Sequence, residues 1–230
     1  MNIAVIPARG GSKRIPKKNI KDFLGKPIIF YSIKAAIESW LFDKVIVSTD
    51  DNEIKKIAED FGAVVPFIRP DELSDDITGT VAVTRHAVQW CIDNGYVLEY
   101  VCCIYPTSPL IQLDYLKKGY ELLRGSNKLF AFSVTSFSYP IQRALRIENN
   151  NIEMYYPENY FSRSQDLEES YHDAGQFYWG TANAFLDQKN LFSDTSIPII
   201  LPRYIVQDID TLEDWDRAEL MYKVLYRQWK

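Results

Sequence analysis

The chain has 230 residues, 47% hydrophobic and 25% charged, and its 26 Lys and Arg against 31 Asp and Glu leave a formal net charge of −5 at pH 7. That is enough chain to bury one sizeable core, and the acidic balance argues against a protein that grips a polyanion over a broad surface. Its apolar runs stop near six residues, short of the roughly 18 to 20 that cross a bilayer, and the N-terminal segment lacks a signal peptide's apolar stretch and cleavage site. No membrane contact is expected, and a cytoplasmic location is.

In chain order, NIAVI (2–6) reads as a buried strand. PIIFYSIKAAIESW follows a basic loop and places Ile29, Ile33, Ala36, Ile37 and Trp40 on one helical stripe, with Pro27 suited to the helix start. KVIVST (44–49) is a second buried strand. A helix is expected over DNEIKKIAEDFG, ending at Gly62, then a strand near 64–68, a helix over 78–93 and a strand over 100–105 that runs into the turn PTSP. Strands alternating with helices predict an α/β fold with a parallel sheet and crossover helices. The three cysteines, Cys91, Cys102 and Cys103, are expected as reduced core thiols. With His86 and His172 as the only histidines, no zinc spacing exists, and any metal must be held by carboxylates.

Beyond about residue 137 the composition turns to Tyr, Asn and charge. A hairpin is expected around ALRIENNNIEMYY, inside an excursion over 138–173, before a strand-like return at QFYWGTANAF. The terminal stretch TLEDWDRAELMYKVLYRQW is a helix whose apolar face is Leu212, Trp215, Ala218, Tyr222 and Leu225, with Thr211 as its cap and Asp214 three positions on. The chain is taken as a single domain over 1–230.

Ligands in such a sheet sit outside the carboxyl ends of the strands, so the loop after the first strand is where function is expected. That loop, IPARGGSKRIPKKN, carries Arg9, Lys13, Arg14, Lys17 and Lys18 without an acid. Gly10 and Gly11 let backbone amides approach a ligand, Ser12 adds a hydroxyl, and the cations match several phosphate oxygens. A polyphosphate is the expected ligand, although the stretch has neither the Walker pattern nor GxGxxG. A merely solvated basic loop is the alternative. Near the other end, Asp208 and Asp210 stand two apart, which in extended backbone turns both carboxylates to one face and suits Mg²⁺. A helix-capping turn explains Asp210 nearly as well.

PARGGSKRIPKKN, RPDELSDD, YPTSPL and DIDTLEDWDRAE resemble, in order, the motifs of the cytidylyltransferases that activate nine-carbon sialic acids. SRSQDLEESYHDAGQFYWG is similar to the pseudaminic acid branch of that family. The resemblance implies a Rossmann-like nucleotidyltransferase domain with a mainly parallel mixed sheet. It also implies a homodimer whose excursion reaches the partner, and a Mg²⁺-assisted reaction of CTP with a nonulosonic acid, giving the CMP-sugar and diphosphate.

By the same resemblance Arg9, Ser12, Lys13, Lys18 and Asn19 would bind the nucleotide phosphates, with Lys18 also catalytic; Arg69, Thr78 and Thr80 would lie around cytosine and ribose; Asp208 and Asp210 would hold the metal and take part in catalysis. Tyr105, Arg163, Gln165, His172, Asp173, Gln176 and Tyr178 would form the sugar site. Tyr105 replaces the Gln of the common sialic acid motif, which favours another nonulosonate. Arg163 would meet the sugar carboxylate bidentately or else be an ordinary surface arginine. His172 is either a base or sugar ligand, or a structural histidine. The aromatic run Phe177, Tyr178 and Trp179 is expected against an apolar sugar tail, with at least one member in the core because strand side chains alternate. CMP-N-acylneuraminate or CMP-legionaminate synthesis, another sugar-phosphate nucleotidyltransferase, and a nucleic-acid-binding module are the alternative functions.

Overall fold

A computed structural model describes residues 1–226. In chain order the strands are β1 (Asn2–Pro7), β2 (Asp22–Phe23), β3 (Lys26–Pro27), β4 (Lys44–Ser48), β5 (Tyr100–Ile104), β6 (Phe130–Ser136), β7 (Leu145–Glu148), β8 (Asn151–Met154), β9 (Tyr171–Thr181) and β10 (Ser196–Ile200). The α-helices are α1 (Ile29–Glu38), α2 (Asn52–Asp60), α3 (Thr80–Asp93), α4 (Leu113–Arg124), α5 (Ala182–Leu186) and α6 (Leu212–Leu225).

Six strands make one sheet in the order β10-β6-β9-β5-β1-β4. The β1–β4, β1–β5 and β10–β6 pairs are parallel, while β9 runs antiparallel to both β5 and β6. The expected mainly parallel α/β sheet is therefore present, with one reversed strand. Both faces are covered. Ile33 and Ala36 of α1, Ala58 of α2 and Leu116 of α4 pack with Ala4, Val47 and Trp179 on one side. On the other, Ala87 and Cys91 of α3 and Phe185 of α5 meet Ile3, Val101 and Phe130. This two-sided burial is why β1, β4 and β5 read as unbroken apolar runs.

All three cysteines are free and buried, and burial pushes the Cys91 thiol up to about 11 and that of Cys103 up to about 12. Asp51 caps α2 by accepting from the amides of Glu53 and Ile54. Thr211 and Asp214 form a reciprocal capping box on α6. The end of the expected terminal helix, residues 227–230, lies outside the described residues.

Three local expectations are corrected. Trp40 lies beyond the last turn of α1 with φ 57° and is 91% exposed, because the helix ends at Glu38 before it can complete the stripe. Pro27 belongs to the short β3, not to the helix start. The segment 64–68 makes only an isolated bridge from Val64 to Ile46, since Pro66 has no amide to extend a ladder.

The excursion contains the expected hairpin, β7 paired with β8, whose side chains are almost all exposed. His172 and Asp173 already belong to β9, opposite Thr135 and Val134 of the central sheet. No helix among the described residues is long and apolar enough to cross a membrane.

Candidate active site

The loops that leave β1 and β5, together with the 69–80 segment, enclose a cleft of about 490 Å³ at the carboxyl edge of the sheet. Of the residues expected at the nucleotide, Arg9, Ser12, Lys13, Lys18, Asn19, Arg69, Thr78 and Thr80 all line it, as does Tyr105. The basic loop after β1 and the distant 69–80 segment thus face each other across one cavity.

The cations of this loop are not bare. Arg9 Nη1 lies 2.7 Å from Asp76 Oδ1, Lys13 pairs with the other oxygen of Asp76, and Arg14 Nη1 is 2.8 Å from Asp210 Oδ2. Lys18 Nζ donates to the Ile209 carbonyl at 2.5 Å and lies 3.4 Å from Asp210 Oδ1. Lys17, on a backbone with φ 52°, points away to Glu53. Two carboxylates, Asp76 and Asp210, therefore neutralise four of the cations. Lys13, then Arg9, holds the Asp76 carboxyl below its ordinary range.

The glycines divide their work. Gly10 donates its amide to Asp50 Oδ1 at 2.9 Å, and a Cβ there would stand 2.7 Å from Asp51 Oδ2. Its role in the folded chain is close packing against the cap of α2, while Gly11 has open space around it. Asn19 is buried and donates to the Arg9 carbonyl at 2.9 Å, closing the loop on itself. Arg69 is buried too, with Nε 3.1 Å from Ser48 Oγ and a second bond to the Ser48 carbonyl. Burial lowers its guanidinium to about 10, with Asp50 opposing the shift, so it stays charged at neutral pH.

Asp208 and Asp210 are not themselves among the residues lining this cleft, but Asp210 pairs with its lining residues Arg14 and Lys18, and Asp208 lies near the same point beside Gly175 as the lining residue Tyr105. Solvent reaches Asp208, but protein surrounds the rest of it; this desolvation, then the charge of Asp210, pushes its carboxyl above the ordinary range. Asp214, not Asp210, supplies the carboxylate of the α6 capping box, so the capping explanation of Asp210 falls away. Among the described residues no three His, Cys, Asp or Glu gather to hold a metal alone. Two carboxylates with phosphate and water oxygens still suit Mg²⁺.

The expected sugar residues separate. Gly175, at φ +62°, bends β9 so that its Cβ position would lie 3.9 Å from both the Asp208 carboxylate and the Tyr105 ring. Tyr105 Oη lies 3.2 Å from Thr80 Oγ1, and its ring is 5.2 Å from that of Tyr178. Gln176 is buried and donates to the Ile205 carbonyl at 2.5 Å, leaving its Oε1 without a partner. Phe177 and Trp179 are fully buried in the core beneath α4, so Tyr178 alone of the aromatic run faces the other side.

Arg163 and Gln165 lie in the excursion, outside the cleft; Arg163 Nε is 2.7 Å from Asp166 Oδ2. His172 donates from Nδ1 to its neighbour's carbonyl, Asp173 O, at 2.8 Å and stands edge-on to Phe137, also outside the cleft. The sequence reading missed Asp76 and left Arg14 unassigned. Their signal was the acidic SDD of RPDELSDD opposite a loop with no acid of its own.

Residues 3–213 match the family described as cytidylyltransferase. The chain is 48% identical over 224 residues to the pseudaminic acid cytidylyltransferase of Campylobacter jejuni serotype O:2, covering 97% of each. It is 29% identical to a CMP-N,N'-diacetyllegionaminic acid synthase of Legionella pneumophila, covering 96% of each. In fold it is similar to a CMP:2-keto-3-deoxy-manno-octonic acid synthetase complexed with CTP, at 16% identity and a TM-score of 0.69, covering 99% of each chain.

Proposed function

The chain belongs to the cytidylyltransferase family, and on that premise we propose that it converts CTP and pseudaminic acid into CMP-pseudaminic acid and diphosphate. The observation that carries the reading is the 48% identity with a pseudaminic acid cytidylyltransferase over 97% of both chains. The relative named for legionaminic acid, at 29%, stands further off.

The cleft geometry supports this chemistry. The triphosphate lies along the loop after β1, where Arg9, Lys13, Arg14 and Lys18 exchange their carboxylate partners for phosphate oxygens. Those pairs are solvent-accessible, with side-chain exposures of 20–78%; exposed pairs are weak, typically about 0–1 kcal/mol, so a polyanion displaces them readily. Arg69 adds a fixed charge beneath the nucleotide.

Attack of the sugar's anomeric 2-hydroxyl on the α-phosphorus forms the new P–O bond as the bond to diphosphate breaks and the hydroxyl proton passes to solvent. The task is alignment and charge neutralisation more than covalent chemistry by the protein. Asp208 and Asp210 fit Mg²⁺, because Asp208, whose carboxyl desolvation and the charge of Asp210 push up, has no salt-bridge partner among the described residues, while Asp210 is shared by Arg14 and Lys18. Held by Asp208 and Asp210, the ion would supply positive charge for the phosphate oxygens and would make the attacking hydroxyl easier to deprotonate. Lys18 keeps the pair in register by holding the Ile209 carbonyl between them.

A homodimer accompanies this reading. The excursion exposes Leu145, Ile147, Ile152, Tyr160 and Phe161, the last 92% exposed, an apolar surface that a second copy of the chain would cover. Arg163 and Gln165, remote from their own cleft, would then serve the partner's sugar site. Cytoplasmic residence follows from where CTP is found.

Incubation with CTP, Mg²⁺ and pseudaminic acid should give CMP-pseudaminic acid and diphosphate in equal amounts, read by phosphorus NMR. Failure to form any CMP-sugar from any nonulosonate would refute the proposal.

A further inference from the structure

Residues 206–211, between the turn that ends at Ile205 and the start of α6, belong to no helix or strand, yet they carry Asp208 and Asp210. Distant side chains hold this strap by its carbonyls. On one side of Asp208, Lys18 donates to the Ile209 carbonyl at 2.5 Å; on the other, Gln176 of β9 donates to the Ile205 carbonyl at 2.5 Å. Ile205 and Ile209 are themselves buried, so both ends of the short run bearing Asp208 are fixed inside the fold.

The Gln176 anchor has a firm base. Its backbone carbonyl accepts from the Tyr105 amide at 2.9 Å, its amide donates to Ser133 Oγ at 3.4 Å, and its side chain is buried. The neighbouring Gly175 lets β9 pass close to the strap, since a Cβ there would stand 3.9 Å from the Asp208 carboxylate. The anchor also has a cost, for Gln176 Oε1 is buried without a partner. Turning the amide over would set Oε1 against the Ile205 carbonyl, two acceptors face to face, so the orientation is determined. A side chain of the same length with no polar group would leave no such orphan. What it could not do is hold the Ile205 carbonyl.

We infer that Gln176 is a positioning residue for the carboxylate pair: through Ile205 it sets where Asp208 stands, as Lys18 does through Ile209. This replaces the sugar contact expected of Gln176 from the sequence. The inference rests on the reading of Asp208 and Asp210 as Mg²⁺ ligands, since that ion demands near-octahedral geometry and is held less tightly when a ligand drifts. Groups that orient a metal's ligands therefore govern its affinity without touching it.

In the test, Mn²⁺ alone, without nucleotide, is titrated into wild type, Gln176→Met, Ser133→Ala and Asp208→Asn. Free Mn²⁺ is read by electron paramagnetic resonance and stability by urea denaturation. Gln176→Met keeps the length and loses the donor. Ser133→Ala removes a buried hydroxyl that bonds the backbone of Gln176 and Phe177. Gln176→Met should weaken Mn²⁺ binding roughly tenfold, the lower end of what losing a ligand's support does, with a urea midpoint near that of wild type. Ser133→Ala should lower the midpoint and leave Mn²⁺ binding as it was. With CTP and sugar present, Gln176→Met should need more Mg²⁺ for half-maximal turnover, and excess Mg²⁺ should restore kcat. Gln176→Asn, one methylene shorter and still polar, should show the same metal defect, and it carries the test if the Met variant does not fold. The inference is overturned if the folded Gln176 variants bind Mn²⁺ as wild type does while Asp208→Asn does not. It is equally overturned if Ser133→Ala loses as much Mn²⁺ affinity as Gln176→Met, which would mark general loosening. Mn²⁺ binding that Asp208→Asn leaves unchanged would overturn the metal pair itself, and its brace with it.

Discussion

Arg9 Nη1 rests 2.7 Å from Asp76 Oδ1, a contact between the first loop and a carboxylate 67 residues later, at the proposed triphosphate site. Lys13 shares that carboxylate. Asp76 thus competes with phosphate for two cations. Replacing it by Asn keeps the shape and removes the competing charge, so CTP should bind more tightly, by roughly two- to fivefold at low salt, with the gain shrinking as salt screens it. Unchanged or weaker CTP binding in calorimetry would mean that Asp76 serves the ligand and does not compete with it.

Asp208 carries the opposite signature. Its carboxyl is raised above the ordinary value of 3.8 by burial and by Asp210, so the folded protein holds this proton more tightly than the unfolded chain does. Metal-free stability therefore falls as pH rises from that value through the raised one. Asp208→Asn should raise the metal-free melting temperature, and its advantage over wild type should grow as pH rises above about 4 through the raised value, while turnover is largely lost. A variant that melts below wild type at neutral pH without Mg²⁺ would contradict this assignment.

Lys18 bonds to the Ile209 carbonyl and faces Asp210 while lining the cleft. Its replacement by Ala should weaken CTP binding roughly 10- to 150-fold, the equivalent of about 1.5–3 kcal/mol for a charged hydrogen bond. Wild-type CTP affinity in this variant would remove Lys18 from the phosphate site.

The two glycines of the loop should separate by stability. A Cβ on Gly10 meets Asp51 at 2.7 Å, whereas one on Gly11 meets nothing within 4 Å. Gly10→Ala disturbs the cap of α2 and should cost about 1–2 kcal/mol in urea denaturation; Gly11→Ala should be close to neutral. Equal midpoints for the two variants would refute the packing role.

The basic loop, the strand before it and the Asp208–Asp210 pair were legible because each signal is local: an apolar run, a cluster of one charge sign, and a two-residue spacing. Their proximity needed the sheet order, which brings residues 191 apart into contact at Lys18 and Ile209. Asp76 escaped notice because its partners are distant in sequence and an acidic turn looks solvated. Phe177, Tyr178 and Trp179 were readable as a strand, but which face is core depends on β9 lying reversed between β5 and β6. Trp40 misled because helical periodicity does not announce where a helix stops.

The central claim is the identity of the sugar, and it is tested most directly by kcat/KM for diphosphate release from CTP with pseudaminate, N-acetylneuraminate and a deoxyoctulosonate under matched conditions. All three present a carboxylate beside an anomeric hydroxyl, so the Asp208–Asp210 pair and the basic loop should treat them alike, and the difference should arise beyond Tyr105. Pseudaminate should exceed the other two by at least about tenfold. Equal use of N-acetylneuraminate would contradict the assignment.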